Sequence, residues 1–169
     1  MHITGKFIEL SDSTGQLYYG IDIASNDIEC FITHLRLKGI NEQFISKKLH
    51  RDHGKYHITI VNTMASNKFK SDLNFQSTIS QFLNTDISFE VFGIGHVETN
   101  IKDINKQAWF IVCENSDLQK SFSDLGILQD YHITIAFEPT DVFRVRKNQE
   151  TIIYPMSEIQ IRTNLKRTP

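Results

Sequence analysis

The pentapeptide Tyr-His-Ile-Thr-Ile occurs twice in this chain, at residues 56–60 and again at residues 131–135. An identical five-residue match in a 169-residue chain of ordinary composition has a chance of roughly one in a hundred. The match also extends to its surroundings, because each copy ends a strand–helix–strand pattern. In the first, residues 17–23 read as a strand. Ile28, Phe31, Ile32 and Leu35 then recur at helical spacing, with Ser25 or Asn26 as cap and Gly39 as stop. In the second, residues 108–113 read as a strand and residues 118–125 as a short helix, capped by Asn115 or Ser116 and stopped by Gly126. Further helical spacing falls at residues 75–83, and further strands at 87–95 and around 159–161. The pattern predicts an internal duplication and an α+β fold. Its two pseudo-symmetric lobes, each an antiparallel sheet with helices, would face each other across a cleft.

Composition narrows the rest. With 40% hydrophobic and 11% aromatic residues, residues 1–169 can bury a core as one bilobal domain. A net charge of −2 excludes a wholly cationic nucleic-acid binder, whose phosphate affinity would be carried as bulk positive charge. The two cysteines, Cys30 and Cys113, lie far apart among apolar residues and are expected to be core filling, neither disulfide nor zinc ligand. No apolar run is long enough to span a membrane, and residues 1–7 do not read as a secretory signal. The expectation is a soluble intracellular, cytoplasmic monomer.

Alternation on a strand places His57 and Thr59 on one face and Ile58 and Ile60 on the other, and likewise His132 and Thr134 against Ile133 and Ile135. Each strand then has an apolar back and a polar front. Two lobes facing each other would gather two imidazoles and two hydroxyls around one point. That set suits phosphodiester chemistry without a metal or cofactor. A neutral imidazole takes a proton from the attacking hydroxyl, a charged one gives a proton to the leaving oxygen, and the hydroxyls donate to the non-bridging oxygens.

Paired His-x-Thr motifs on strands, here His57, Thr59, His132 and Thr134, resemble the 2H phosphoesterase superfamily. That superfamily includes RNA 2′,3′-cyclic phosphodiesterases, the LigT-type RNA ligase, 2′,5′-oligoadenylate-degrading enzymes and phage enzymes that destroy cyclic oligonucleotide signals. The resemblance implies a LigT-like fold, catalysis by these four residues, and hydrolysis of 2′,3′-cyclic phosphate RNA ends or small cyclic nucleotides. Degradation of a 2′,5′-linked or cyclic oligonucleotide signal, and a non-catalytic RNA- or nucleotide-binding module, stay open beside it. Pseudo-symmetry leaves open which histidine is acid and which is base.

Around the motifs, Lys47, Lys48, Arg51 and Lys55 precede the first, and Arg144, Arg146 and Lys147 follow the second. Lys55, Arg144 and Arg146 are expected phosphate contacts at the cleft rim, and Tyr56, Tyr131 and Phe143 candidate substrate contacts, with Phe137 a further surface for stacking on a base. His50, His53 and His57 have helical spacing, but Gly54 interrupts it and no carboxylate or thiol completes a metal set. His96, between glycines and a polar stretch, reads as a loop residue. A third triplet, His2-Ile3-Thr4, lacks the preceding tyrosine and lies at a terminus expected to be mobile, so it is taken as accidental. Arg162, Lys166 and Arg167 read as an exposed tail.

Overall fold

A computed structural model describes residues 1–159. In chain order the elements are β1 (His2–Ser11), β2 (Leu17–Ile23), α1 (Ser25–Leu37), α2 (Glu42–Arg51), β3 (Tyr56–Val61), α3 (Thr63–Phe69), α4 (Leu73–Phe82), β4 (Asp86–Ile101), β5 (Ile104–Glu114), α5 (Ser116–Ser123), β6 (His132–Glu138), a 3₁₀ turn (Gln149–Thr151) and β7 (Ile152–Pro155). The strands form one antiparallel sheet in the order β3-β2-β1-β4-β5-β6, with β7 added to β4.

That order is symmetric about the β1–β4 junction. Each half runs as two antiparallel strands, a helical connection, and a third strand that pairs with the second. The halves are related as the repeat requires, but they share one continuous sheet and do not each close on their own. The sheet bends until its two path ends, β3 and β6, touch. Both His-x-Thr strands therefore lie at sheet edges and meet on one side.

The bend has a local cause repeated in both halves. Gly20 pairs with Thr59 but Tyr19 with Val61, so Ile60 is an extra residue in β3. Phe110 pairs with Thr134 but Trp109 with Ala136, so Ile135 is the matching extra residue in β6. A bulge at the second isoleucine of each pentapeptide increases strand twist and reverses the side-chain alternation beyond it. On β6 it turns Phe137, paired with Ala108, onto the face that carries Thr134. Gly20 is required opposite the first bulge, where a Cβ would lie 2.6 Å from the Ile58 carbonyl oxygen.

The main core is built on the other face. Ile58, Ile60, Ile133 and Ile135 are all fully buried there, together with Phe7, Phe31, Phe89 and Phe122. Phe7 stacks on Tyr19 and Phe122 and tilts against Phe82, so one β1 side chain joins the two halves. A smaller cluster of Phe110, Val112, Phe137 and Val142 lies beside the second motif. Cys113 is buried and Cys30 half-buried, and both are free thiols.

Several local expectations change. The N-terminus is a paired inner strand, with Ile3 buried and His2 and Thr4 exposed, not a mobile end. Ala24 is the cap residue of α1, and Ser25 is its first helical residue. α2 occupies the basic stretch before the first motif; its inward residues are only Ile45 and Lys48, so no apolar stripe announces it. His96 is on β4, tilted against Trp109 with ring centroids 4.5 Å apart, because Gly93 and Gly95 give way to β7 within a strand and not a loop. Residues 156–159 are helical, and the rest of the strand expected around 159–161 lies outside the described residues, as do Arg162, Lys166 and Arg167. Among the described residues, no helix is long and apolar enough to cross a membrane.

If both halves share one core through Phe7, Phe7→Ala should cost about 3–5 kcal/mol, the usual range for emptying a buried aromatic site. Denaturant unfolding should remain a single transition. Two separate transitions would show halves that fold independently.

Candidate active site

Each motif histidine is placed by strand alternation and then differentiated by what surrounds it. His57 is half-buried on β3, its ring 5.8 Å from that of Tyr18. Burial lowers its pKa, and Asp52 is the strongest opposing influence, with Lys48 and Arg51 adding to the lowering. His132, on β6, meets Phe110 edge-on at 5.6 Å. Its Nδ1 lies 2.8 Å from the Asp130 carbonyl oxygen, which can only accept. Nδ1 therefore carries the hydrogen, and Nε2 presents a lone pair. Burial, then the Lys147 ammonium, push its pKa down to about 4, and His57 disfavours its charge as well. The two imidazoles thus stand within electrostatic reach of each other.

The threonines differ in the same way. Thr59 is half-buried on β3 beside His57. Thr134 is buried, and its hydroxyl donates to Asp141 Oδ2 at 3.2 Å. Asp141, only 5% exposed, is the hub of this side. Its carboxylate also accepts from Arg51 Nη1 at 2.8 Å, from Lys147 Nζ at 3.1 Å and from the Val142 backbone N–H at 2.7 Å. Burial alone would raise the Asp141 pKa; Lys147 and Arg51 outweigh it and hold the group below the ordinary carboxylate range.

Arg51 reaches further. It forms a two-pronged pair with Asp52, 2.6 Å and 2.8 Å, and its guanidinium lies over the Phe137 ring at 4.7 Å. Lys48 is buried above the Tyr56 ring, donates to the Lys55 carbonyl, and lies 3.4 Å from Asp52. Burial brings its pKa down to about 8 despite Asp52. The centre therefore holds three cations, Lys48, Arg51 and Lys147, against two carboxylates, with two imidazoles whose charged forms burial disfavours. It is suited to an anion.

The expected peripheral contacts are redistributed. Tyr56 and Tyr131 are 5% and 3% exposed and face the core, as the residue before each histidine must under alternation. Tyr131 packs edge-on against Phe89, so neither tyrosine meets a substrate on the histidine face. Arg146 is held by Asp130 through bonds of 2.7 Å and 3.0 Å, and that clamp fixes the residue whose carbonyl orients His132. Lys47 is paired with Glu138. Lys55 and Arg144 are exposed, Arg144 in a left-handed conformation at φ 61°. Phe143 is exposed and lines, with Arg51, Phe137, Pro139 and Asp141, a groove between α2 and the chain following β6. Asp52, Asp130 and Asp141 carried no signal in the sequence, because none stands at a position that the repeat duplicates with the same residue. Among the described residues, no three His, Cys, Asp or Glu side chains converge as a metal-holding group.

One His-x-Thr strand from each of the two related halves thus stands at the meeting point of a single bent antiparallel sheet. A family model described as "Swiss Army Knife, 2H phosphoesterase domain" matches residues 29–143, a span that contains both motifs, α2 and Asp141. The chain belongs to this 2H phosphoesterase family. No curated protein and no solved structure matches it significantly.

Removing the hub charge tests the electrostatics. Asp141→Asn leaves Lys147 buried without its counter-charge and should cost about 3–5 kcal/mol in denaturant unfolding at neutral pH. Because the folded pKa of Asp141 is depressed, its contribution is complete above the unfolded carboxylate value and fades as pH falls through the lower folded value. The gap between wild type and Asp141→Asn should therefore narrow only in strong acid. A gap independent of pH would contradict the assignment.

Proposed function

We propose that this protein hydrolyses a phosphodiester without a metal, with 2′,3′-cyclic phosphate ends of RNA or small cyclic nucleotides as substrates. The observation that carries the reading is the meeting of β3 and β6, which brings the strands of His57 and His132 together beside a cation-rich centre.

The surroundings break the symmetry of the two histidines. His132, with its hydrogen held on Nδ1 and its charged form suppressed, is the base: Nε2 takes a proton from water as the water oxygen bonds to phosphorus. His57, beside the Asp52 carboxylate, is the acid: it gives its proton to the ribose oxygen as the phosphorus–oxygen bond breaks. Thr59 donates to a non-bridging oxygen. Thr134 does so by turning its hydrogen away from Asp141, whose negative charge remains answered by Arg51, Lys147 and Val142. Arg51 and Lys147 offset the phosphate charge.

The pH profile of kcat/KM should be bell-shaped. It rises as His132 loses its proton near pH 4 and falls again below the ordinary histidine value, as His57 loses the proton it must donate. His57→Ala and His132→Ala should each lower the rate about 10²–10⁴-fold. Thr59→Ala and Thr134→Ala should each lower it about 10–10³-fold. His2→Ala and Thr4→Ala, on exposed positions of β1, should change nothing. Activity should persist in EDTA; its full loss would overturn the metal-free mechanism. A mass-spectrometric product screen across 2′,3′-cyclic, 2′,5′-linked, 3′,5′-cyclic oligonucleotide and ADP-ribose cyclic substrates, with His57→Ala/His132→Ala as blank, identifies the bond. Binding without any product would overturn the enzymatic reading.

A further inference from the structure

We propose that Lys48 is a positioning residue: its buried ammonium occupies the Lys55 backbone carbonyl and so withholds from His57 the acceptor that fixes the ring of His132. The catalytic consequence rests on the phosphodiesterase reading; the positioning itself does not.

Lys55 and Asp130 stand at matching places in the repeat, each two residues before its motif histidine. In the second copy the Asp130 carbonyl oxygen lies 2.8 Å from His132 Nδ1 and holds the hydrogen there. In the first copy the matching oxygen accepts from Lys48 Nζ, and the His57 ring has no hydrogen-bond partner among the described residues. A carbonyl oxygen has two lone pairs, but an ammonium on one of them sets a positive charge against any further N–H donor. Both copies tie the residues before the strand to the preceding helix through a side-chain donor. In the second copy Gln119 Nε2 of α5 donates to the Gln129 carbonyl at 3.1 Å, one residue short of Asp130, so the Asp130 oxygen stays open to His132. In the first copy the tie falls on Lys55 itself. Where a helix side chain lands, one residue earlier or later, thus decides which histidine receives a backbone acceptor.

The surroundings hold Lys48 in this place. It is 1% exposed, and its Nζ lies 3.5 Å from the centre of the Tyr56 ring and 3.4 Å from Asp52 Oδ2. Asp52 is held in turn by Arg51. Carbonyl, carboxylate and aromatic face together answer a charge that would be costly to bury alone. For the reaction, the withheld carbonyl matters to the charged form of the ring. A backbone acceptor on Nδ1 favours the imidazolium, as it does for His132. Without it, and beside the Lys48 charge, His57 gives up its proton more readily, which suits the acid of the cleavage.

The test is nitrogen-edited NMR of the imidazole rings at about pH 7.5, where both histidines are neutral and Lys48 is still mostly charged. His57→Ala and His132→Ala assign the signals. His132 should carry its hydrogen on Nδ1, and His57 on Nε2, the preference of an imidazole with no partner. Hydrogen on Nδ1 of both rings in wild type overturns the proposal. Lys48→Met keeps the length of the side chain without its N–H donors. It should free the Lys55 carbonyl and move the His57 hydrogen to Nδ1. It should also shift the alkaline limb of the kcat/KM profile to higher pH. The other groups near His57 are unchanged by it: Asp52, Arg51, Asp141 and His132, with Tyr18 against the ring and Asp22 opposite on β2. A His57 hydrogen that stays on Nε2 in Lys48→Met, or an alkaline limb that does not move, overturns the positioning. If Lys48→Met does not fold, the wild-type rings decide alone. If wild type turns over no phosphodiester, the phosphodiesterase reading fails by itself, and the ring hydrogens still decide the role of Lys48.

Discussion

The buried carboxylate of Asp141 ties together three separate parts of the chain. Arg51 comes from the end of α2, Thr134 from β6, and Lys147 from the segment beyond, and all three donate to the same two oxygens. A buried carboxylate is costly unless its lone pairs are filled, and here they are filled by two cations, a hydroxyl and a backbone N–H. The consequence is geometric. With α2 of the first half pinned to β6 of the second, the bent sheet is closed at the point where its edge strands meet. The two imidazoles are held at one centre by that closure, and the groove beside them takes its wall from the same residues.

Duplication supplies a symmetric scaffold, and unduplicated residues make it chemically unequal. Both halves place the bulge at the second isoleucine of the pentapeptide, so both bend alike. The carboxylates obey no such symmetry. Asp52, in the turn after α2, favours the charged form of His57, whereas Asp130 offers His132 its carbonyl and Asp141 takes the second threonine. Burial disfavours the charged form of both imidazoles, but His132 the more strongly, down to about 4, so two identical residues come to titrate differently. The proposed mechanism, which needs one proton donor and one acceptor, draws them from this difference in environment and not from a difference in residue type.

The repeated pentapeptide made the main elements legible, because period-two alternation assigns faces wherever a strand runs uninterrupted. The apolar backs Ile58, Ile60, Ile133 and Ile135, the cap at Asn115 and the stops at Gly39 and Gly126 follow from local rules, and each reappears in the structure. α2 did not, since a helix that buries a lysine through a backbone carbonyl, a carboxylate and an aromatic ring has no apolar stripe to read. β1 did not either, because its partners are β2 and a strand more than eighty residues away.

What the sequence by itself determined is the duplicated architecture and the four side chains of the two His-x-Thr strands, since identity and alternation are properties of the local chain. What only the tertiary structure decided is that the halves share one sheet, that Arg51 and Lys147 surround Asp141, that Arg146 serves Asp130, and that Tyr56 and Tyr131 belong to the main core while Phe137 is buried on the face of Thr134. Those outcomes depend on a bulge that reverses facing midway along a strand, and on charges brought together across about ninety residues of chain. Burial makes such charges decisive, because in a low-dielectric interior each must find its counter-charge wherever the fold has placed it.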